Sequence, residues 1–170
     1  MSSRLKNGCF PQHSNGMFMH QRTDIEDYLK KVKYYNVTPL KTPFNDYTHM
    51  EIQNSTPIDE GPFRSAIGSL MWFALCTRPD IMFVVTSLAQ FQARPTKLAM
   101  DCVHKIYCHL RGTLNQGILI PNSSLNFDGV FTLAPYSDAS YAIPILDSRS
   151  ASGIIFLLNG VPIHWISQKQ

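Results

Sequence analysis

The chain has 170 residues, of which 44% are hydrophobic and 16% are charged, and it carries a net charge of +3 with a pI near 8.7. This much apolar material supports one core of ordinary size or two small ones, which excludes a chain that is disordered throughout. The positive charge is weaker than that of a dedicated nucleic-acid-binding domain, so the composition permits polyanion binding without demonstrating it.

Two features of the sequence bear on the compartment. The four cysteines form no CxxC pair, and Cys76 and Cys102 lie inside apolar helical patterns, where cysteine behaves as a small hydrophobe. Residues 1–19 alternate polar and apolar side chains, unlike a signal peptide or a membrane anchor. We therefore expect an intracellular protein in a reducing compartment.

The first predicted element is a helix over residues 24–35. One face of this helix is an apolar stripe formed by Ile25, Tyr28, Leu29 and Val32. The other face is basic and contains Lys30, Lys31 and Lys33. Pro39 and Pro43 disfavour helix at their own positions and at the preceding residues. Because residues 45–55 are polar and show no periodicity, the sequence predicts an extended linker there.

Two largely buried helices are predicted next. The first begins near Pro62 and places on one face Ile67, Leu70, Met71 and Ala74. The segment Arg78-Pro79-Asp80 interrupts it, and a second helix then runs to about residue 91 with Asp80 in its first turn. Because both helices are strongly apolar, their aromatic residues are predicted as core rather than base-stacking platforms: Trp72, Phe73, Phe83 and Phe91.

A further amphipathic helix follows Pro95. Thr96 suits its N-cap, Gly112 suits its end, and the stripe consists of Val103, Ile106, Tyr107 and Leu110. Lys97, Lys105 and Arg111 lie off that stripe. His104 and Cys108 are four residues apart and could in principle share a zinc ion, but no second ligand pair is evident, so a zinc site is not favoured.

Beyond Gly117 the sequence changes to short β-prone runs. These cover residues 118–120, 130–133, 154–158 and 161–166. Asn159-Gly160 between the last two indicates a hairpin, because both positions of a type I′ turn need positive φ. The chain therefore divides between residues 112 and 126 into a helical part and a β part.

Two stretches, FRSAIGSLM at 63–71 and LCTRPDI at 75–81, closely resemble a segment downstream of the polymerase site in copia-type retrotransposon polyproteins. Shorter matches occur in the family's order at His20-Gln21, Thr42-Pro43, 95–97, 110–113, 136–139, 148–153, Trp165 and Lys169-Gln170. Each is weak alone, but together they span residues 17–170. The resemblance implies an N-terminal remnant over 1–23, a thumb-like or connection-like helical region of a reverse transcriptase over 24–115, and the first three strands of an RNase H domain over 116–170.

The resemblance also implies which catalytic groups to expect. Polymerase and RNase H activities both use clustered carboxylates that hold two Mg²⁺ ions. The sequence has no Asp-Asp pair, so we expect it to follow the polymerase centre. Asp138 matches the first RNase H acid and the first metal ligand, whereas Asp147 matches none and the next family acid is expected after Gln170. We therefore expect an incomplete metal site, no stably bound Mg²⁺ and no nuclease activity in this chain.

Two departures from the family pattern suggest a degenerate copy. Ser140 stands where a second aspartate is usual, and Ile143-Pro144 replaces an expected Gly-Asp. For Asp138, the alternative to a relict metal ligand is an ordinary solvated aspartate. For Lys105 and Arg111, the alternatives are a solvated helix face and phosphate contacts with an RNA/DNA hybrid, the expected partner of the parent protein.

We therefore expect an α+β fold in which a thumb-like helical subdomain precedes a truncated three-stranded antiparallel sheet. An incomplete sheet exposes apolar surface and an unpaired edge, which predicts marginal stability and aggregation. The favoured function is a catalytically inactive fragment of a reverse transcriptase and RNase H polyprotein. The alternative is a domesticated nucleic-acid-binding module, which salt-dependent binding near physiological ionic strength would favour.

Overall fold

A computed structural model describes residues 12–13, 16–43, 47–125, 131–140 and 151–169 of the chain. The helices are α1 (Arg22–Lys31), α2 (His49–Asn54), α3 (Glu60–Cys76), α4 (Met82–Ala89), α5 (Lys97–Gly112) and α6 (Asn122–Leu125), with a 3₁₀ turn at Pro79–Ile81. The strands are β1 (Gln12–His13), β2 (Gly16–Met19), β3 (Ile118–Pro121), β4 (Leu133–Ser140), β5 (Ala151–Leu158) and β6 (Val161–Lys169). The predicted α+β order, helices followed by a three-stranded antiparallel sheet, is confirmed.

Helix α1 is shorter at its C-terminal end than predicted. It ends at Lys31, and Lys33 adopts a left-handed φ of 63°. The backbone N–H of Tyr34 then donates to the carbonyl of Leu29 at 2.8 Å, as in a Schellman cap. The apolar stripe could not reveal this end because lysine, rather than the usual glycine, occupies the left-handed position.

The prediction of an extended linker over residues 45–55 is wrong for His49–Asn54, which form α2. Thr48 and Glu51 make a capping box in which the Thr48 hydroxyl accepts from the Glu51 N–H and the Glu51 carboxylate accepts from the Thr48 N–H. The Thr-x-x-Glu spacing is itself a start signal for a helix. The six-residue helix is too short to show the apolar periodicity on which the linker prediction relied.

The predicted N-cap of α5 is confirmed, and the same side chain fixes α2. The Thr96 hydroxyl accepts from the Ala99 N–H and donates to the carbonyl of Ile52 at 2.6 Å. Thr96 is only 3% exposed. The buried hydroxyl therefore both accepts and donates a hydrogen bond. Through these two bonds, Thr96 caps α5 and also links the end of α2 to the start of α5.

The strands form two antiparallel sheets. The first sheet has the order β1-β2-β3, and β2 pairs with β3. Gly117 lies directly before β3, where a side chain would overlap the backbone of Met19. The second sheet has the order β4-β5-β6. Its β5–β6 hairpin turns at Asn159 and Gly160, whose φ values of 49° and 81° confirm the predicted turn signal. Strand β4 covers only the last residue of the predicted run 130–133, and Val130 lies outside the described residues.

The C-terminal sheet packs on the helical part through Trp165 of β6. Its indole N–H donates to the carbonyl of Ala74 at 2.8 Å, and the residue is 8% exposed. Ala74 lies in the last turn of α3, where helix carbonyls have no intrahelical partner. The contact therefore combines apolar packing with a hydrogen bond to a helix-end carbonyl that has no partner within the helix.

Predictions about individual core aromatics had different outcomes. Phe73 and Phe91 are buried at 4% and 5% exposure, and Phe83 is half-buried. Trp72 was predicted in the core, and this is wrong because it is 46% exposed on the outer side of α3. Within the described ranges, every helix is too short or too polar to cross a membrane.

Candidate functional site

Asp138 lies near the end of β4, opposite Gly153 of β5, with its side chain exposed. It borders a cleft of about 650 Å³ between the sheet and the start of α4. The walls of this cleft are largely apolar and include Tyr136, Ile154, Met82 and Phe83. Among the described residues that line the cleft, Asp138 supplies the one carboxylate, and it lies at the edge of an apolar surface on β4.

The surroundings of Asp138 do not fit the Mg²⁺ pair that the family resemblance implies. Among the described residues, no group of three or more His, Cys, Asp or Glu side chains could hold a metal ion. Two-metal sites need several carboxylates within a few ångströms of each other, and hard cations prefer oxygen ligands to apolar walls. Asp147 lies outside the described residues. The described part of the chain therefore places one carboxylate, that of Asp138, at this cleft.

Lys105 and Arg111, the predicted nucleic-acid contacts, lie on α5 and each contacts a tyrosine. The Lys105 ammonium lies 5.6 Å from the ring centre of Tyr47. The Arg111 guanidinium lies 4.6 Å from the ring centre of Tyr35, and its Nε–H donates to the Tyr35 carbonyl at 2.6 Å. Both cations are half-buried rather than freely solvated, so the packing restricts where their charges lie.

A buried ionic cluster joins the α3–α4 connection to the end of α5. Arg78 has no exposed surface, and its Nε and one Nη donate to the two carboxylate oxygens of Asp80 at 2.9 and 2.6 Å. The other Nη donates to the carbonyl of Thr113 at 3.2 Å. The Thr113 hydroxyl accepts at 2.6 Å from the same Nη that donates to Asp80. The guanidinium is therefore held as a fork between a carboxylate and the end of a helix.

His109 completes this cluster on the other side of Asp80. Its Nε2 lies 2.9 Å from an Asp80 carboxylate oxygen, whereas the buried Nδ1 has no hydrogen-bond partner in the described part of the chain. The proton is therefore best placed on Nε2, because a proton on Nδ1 would be a buried donor without an acceptor. The imidazole ring thus serves as a second donor to the carboxylate.

Known proteins that are similar to the chain include plant transposon proteins. The chain is 33% identical over 156 residues to the retrovirus-related Pol polyprotein from transposon RE1 of Arabidopsis thaliana, a match covering 91% of the chain and 10% of that protein. It is 29% identical over 164 residues to the retrovirus-related Pol polyprotein from transposon TNT 1-94 of Nicotiana tabacum, covering 92% and 12%. The chain is a distant homologue of copia-type retrotransposon Pol polyproteins.

Further comparisons describe the extent of this similarity. The chain spans about a tenth of the length of these Pol polyproteins. It is also 33% identical over 109 residues to the secreted RxLR effector protein 161 of Plasmopara viticola, covering 64% of the chain and 73% of that protein. No family model matches the chain, and no solved structure matches it significantly.

The motifs that carry the Pol resemblance supply much of the buried polar structure of this homologue. Arg78 of the LCTRPDI stretch donates to Asp80 of the same stretch and to Thr113, which follows Leu110-Arg111-Gly112. Thr77 donates to the side-chain oxygen of Gln21 at 2.7 Å, and both residues are buried. The sequence placed Arg78 and Asp80 at a break between two helices, but sequence reasoning missed the contacts among these residues. The signal was available, because an arginine between apolar helices needs an ionic partner if it is buried.

The ionic cluster makes the stability of the Pol homologue depend on pH. Burial alone would raise the pKa of Asp80, but hydrogen bonds from His109 and Arg78 and the charge of Arg78 hold it well below the usual 3.8. A carboxyl whose folded pKa is depressed stabilises the fold above its unfolded pKa and loses that contribution as the pH falls through the folded value.

We therefore expect the free energy of unfolding to fall as the pH drops below about 4. In Asp80→Asn this part of the pH dependence should be absent, whereas Asp27→Asn, at an exposed position of α1, should retain it. Urea denaturation at a series of acidic pH values measures the difference. Parallel curves for the wild type and Asp80→Asn would contradict the assignment.

Proposed function

We propose that the chain corresponds to a segment of the polymerase–RNase H region of a copia-type Pol polyprotein and has no catalytic activity by itself. The parent protein would synthesise DNA on an RNA template and hydrolyse the RNA of RNA/DNA hybrids. The observation that carries the proposal is Asp138 on the first strand of a β4-β5-β6 sheet that follows a helical unit. Homology to Pol polyproteins over 91% of the chain supports it.

In this proposal the surface formed by the end of α1 and the exposed side of α5 contacts the backbone of the hybrid. Lys30 and Arg111 both lie against the ring of Tyr35, at 5.1 and 4.6 Å from its centre. Tyr35 therefore joins basic side chains from two helices on one surface. Lys33 lies exposed just before Tyr35, and Lys105 lies six residues, or about 1.7 turns, before Arg111 on α5.

Phosphate contact is the chemistry that this surface supports. A cation above an aromatic ring keeps its charge, and the planar guanidinium of arginine offers five N–H donors, of which the Tyr35 carbonyl takes that on Nε. Such contacts position a nucleic acid without reading its sequence. The proposal therefore predicts binding that depends on salt and is indifferent to base sequence.

The double variant Lys105→Gln/Arg111→Gln tests this surface. We expect weaker binding to an RNA/DNA hybrid and a slope of log K against log salt that is smaller by about 2, since each lost phosphate contact removes about 0.9. Fluorescence anisotropy at several salt concentrations measures both quantities. Arg64→Gln is the matched control, because it removes one exposed charge from α3 at a residue paired with Glu60.

Two outcomes would argue against the proposal in different ways. An unchanged slope in the double variant would remove Lys105 and Arg111 from the interface. The alternative function, a domesticated nucleic-acid-binding module, would be favoured if the wild type kept tight binding at about 0.15 M salt, where contacts between exposed charges are strongly screened.

A further inference from the structure

A second concave surface shares no lining residue with the cleft beside Asp138. It is a pocket of about 320 Å³ between α2 and the segment that follows α4. The buried ring of Phe91 contributes to it, and the ring of His49 lies 4.9 Å from that of Phe91, centre to centre. Gln53 and Asn54 line one side, and Arg94 lines another.

The walls of this pocket are fixed before any ligand arrives. The Thr96 hydroxyl donates to the carbonyl of Ile52 at 2.6 Å, directly before Gln53. The backbone N–H of Ile58 donates to the carbonyl of Pro95 at 3.0 Å, and that of Lys97 donates to the carbonyl of Thr56 at 2.8 Å. The segment after α2 is therefore bound to the segment after Arg94, which reduces the ordering cost of binding a ligand between them.

The chemical groups in the pocket match the parts of one nucleotide. An imidazole ring offers a face on which a base can stack. Side-chain amides present a donor and an acceptor together, which is what the edge of a base requires. The guanidinium of Arg94 is suited to a phosphate, and no carboxylate is among the described residues that line the pocket.

We propose that this pocket binds a single unpaired nucleotide, with the base against His49 and the amides of Gln53 and Asn54 and the phosphate on Arg94. The volume of the pocket is at the lower end of the range for small-ligand sites, which favours one nucleotide over a longer segment. The inference rests on the proposed function for its ligand source, because an unpaired nucleotide is then supplied by a nucleic-acid strand bound elsewhere on the protein.

The test is a titration of the full chain, labelled with ¹⁵N, with adenosine 5′-monophosphate, ribose 5-phosphate and inorganic phosphate. Adenosine 5′-monophosphate should shift amide signals of residues 49–54 and 90–94 saturably. Ribose 5-phosphate should bind there at least threefold more weakly, because it lacks the base. Arg94→Gln should weaken nucleotide binding at least threefold, whereas Arg22→Gln, which removes an equal charge from the exposed start of α1, should not.

Three results would overturn the inference: no saturable shift with the nucleotide, equal affinity for all three probes, or an unchanged affinity in Arg94→Gln. Equal affinity would identify a plain anion site. If nucleotide binding is absent while hybrid binding still depends on Lys105 and Arg111, the pocket assignment fails and the proposed function stands. If the pocket binds the nucleotide but the hybrid does not bind, the proposed function fails instead.

Discussion

Replacing Asp80 with alanine is expected to lower the free energy of unfolding by about 3–5 kcal/mol, because it leaves the guanidinium of Arg78 buried without its counter-ion. Arg78 has no exposed surface in the folded chain, so its guanidinium depends on protein partners for its hydrogen bonds. The reverse change, Arg78→Met, should cost less. It leaves Asp80, whose side chain is 34% exposed and still accepts from His109.

Urea denaturation of the single variants and of the double variant Arg78→Met/Asp80→Ala measures these differences. The double variant should be more stable than Asp80→Ala alone, because it removes the unpaired charge as well. The matched control is the exposed pair Glu60–Arg64 at consecutive turns of α3, where either substitution should cost no more than about 1 kcal/mol. Equal losses in the buried and exposed pairs would show that the cluster is not a structural ion pair.

Replacing Trp165 with alanine is expected to cost about 3–5 kcal/mol, since a large buried aromatic side chain is lost from the contact between the sheet and α3. Trp165→Phe separates the two parts of that contact. It keeps an aromatic ring but leaves the carbonyl of Ala74 without its donor, for which we expect a loss of about 1–3 kcal/mol.

Trp72 provides the control for this experiment. It is the chain's other tryptophan and is 46% exposed, so Trp72→Ala should change stability by only about 0.5 kcal/mol. Removing Trp72 also leaves Trp165 as the single tryptophan reporter of unfolding. If Trp165→Ala were as mild as Trp72→Ala, the C-terminal sheet would not be docked on the helices through this residue.

Regular helices and the hairpin could be predicted from the sequence because local rules determine them. Thr96 caps α5, and Asn159-Gly160 turns between β5 and β6, where the structure has them. The C-terminal end of α1 and the presence of α2 were missed for local reasons too. Lysine occupies a left-handed position that glycine usually takes, and a capping box starts a helix of only one and a half turns.

Long-range contacts could not be predicted in the same way. The pairing of β2 with β3 joins residues about one hundred positions apart, and Trp165 meets Ala74 across 91 residues. No periodicity encodes such partners. The position of Asp138 on a strand was predicted through the family resemblance, whereas the Arg78–Asp80–His109 cluster needed the structure, because only the folded chain brings the end of α5 beside the start of α4.

A nuclease assay with purified chain, an RNA/DNA hybrid and Mg²⁺ tests whether this chain is catalytically inactive. We expect the hybrid to bind at low salt and its RNA strand to remain uncut, with the same result for wild type and Asp138→Asn. Cleavage by the wild type that Asp138→Asn abolishes would contradict the account, because it would show that one described carboxylate belongs to a working metal site in this chain.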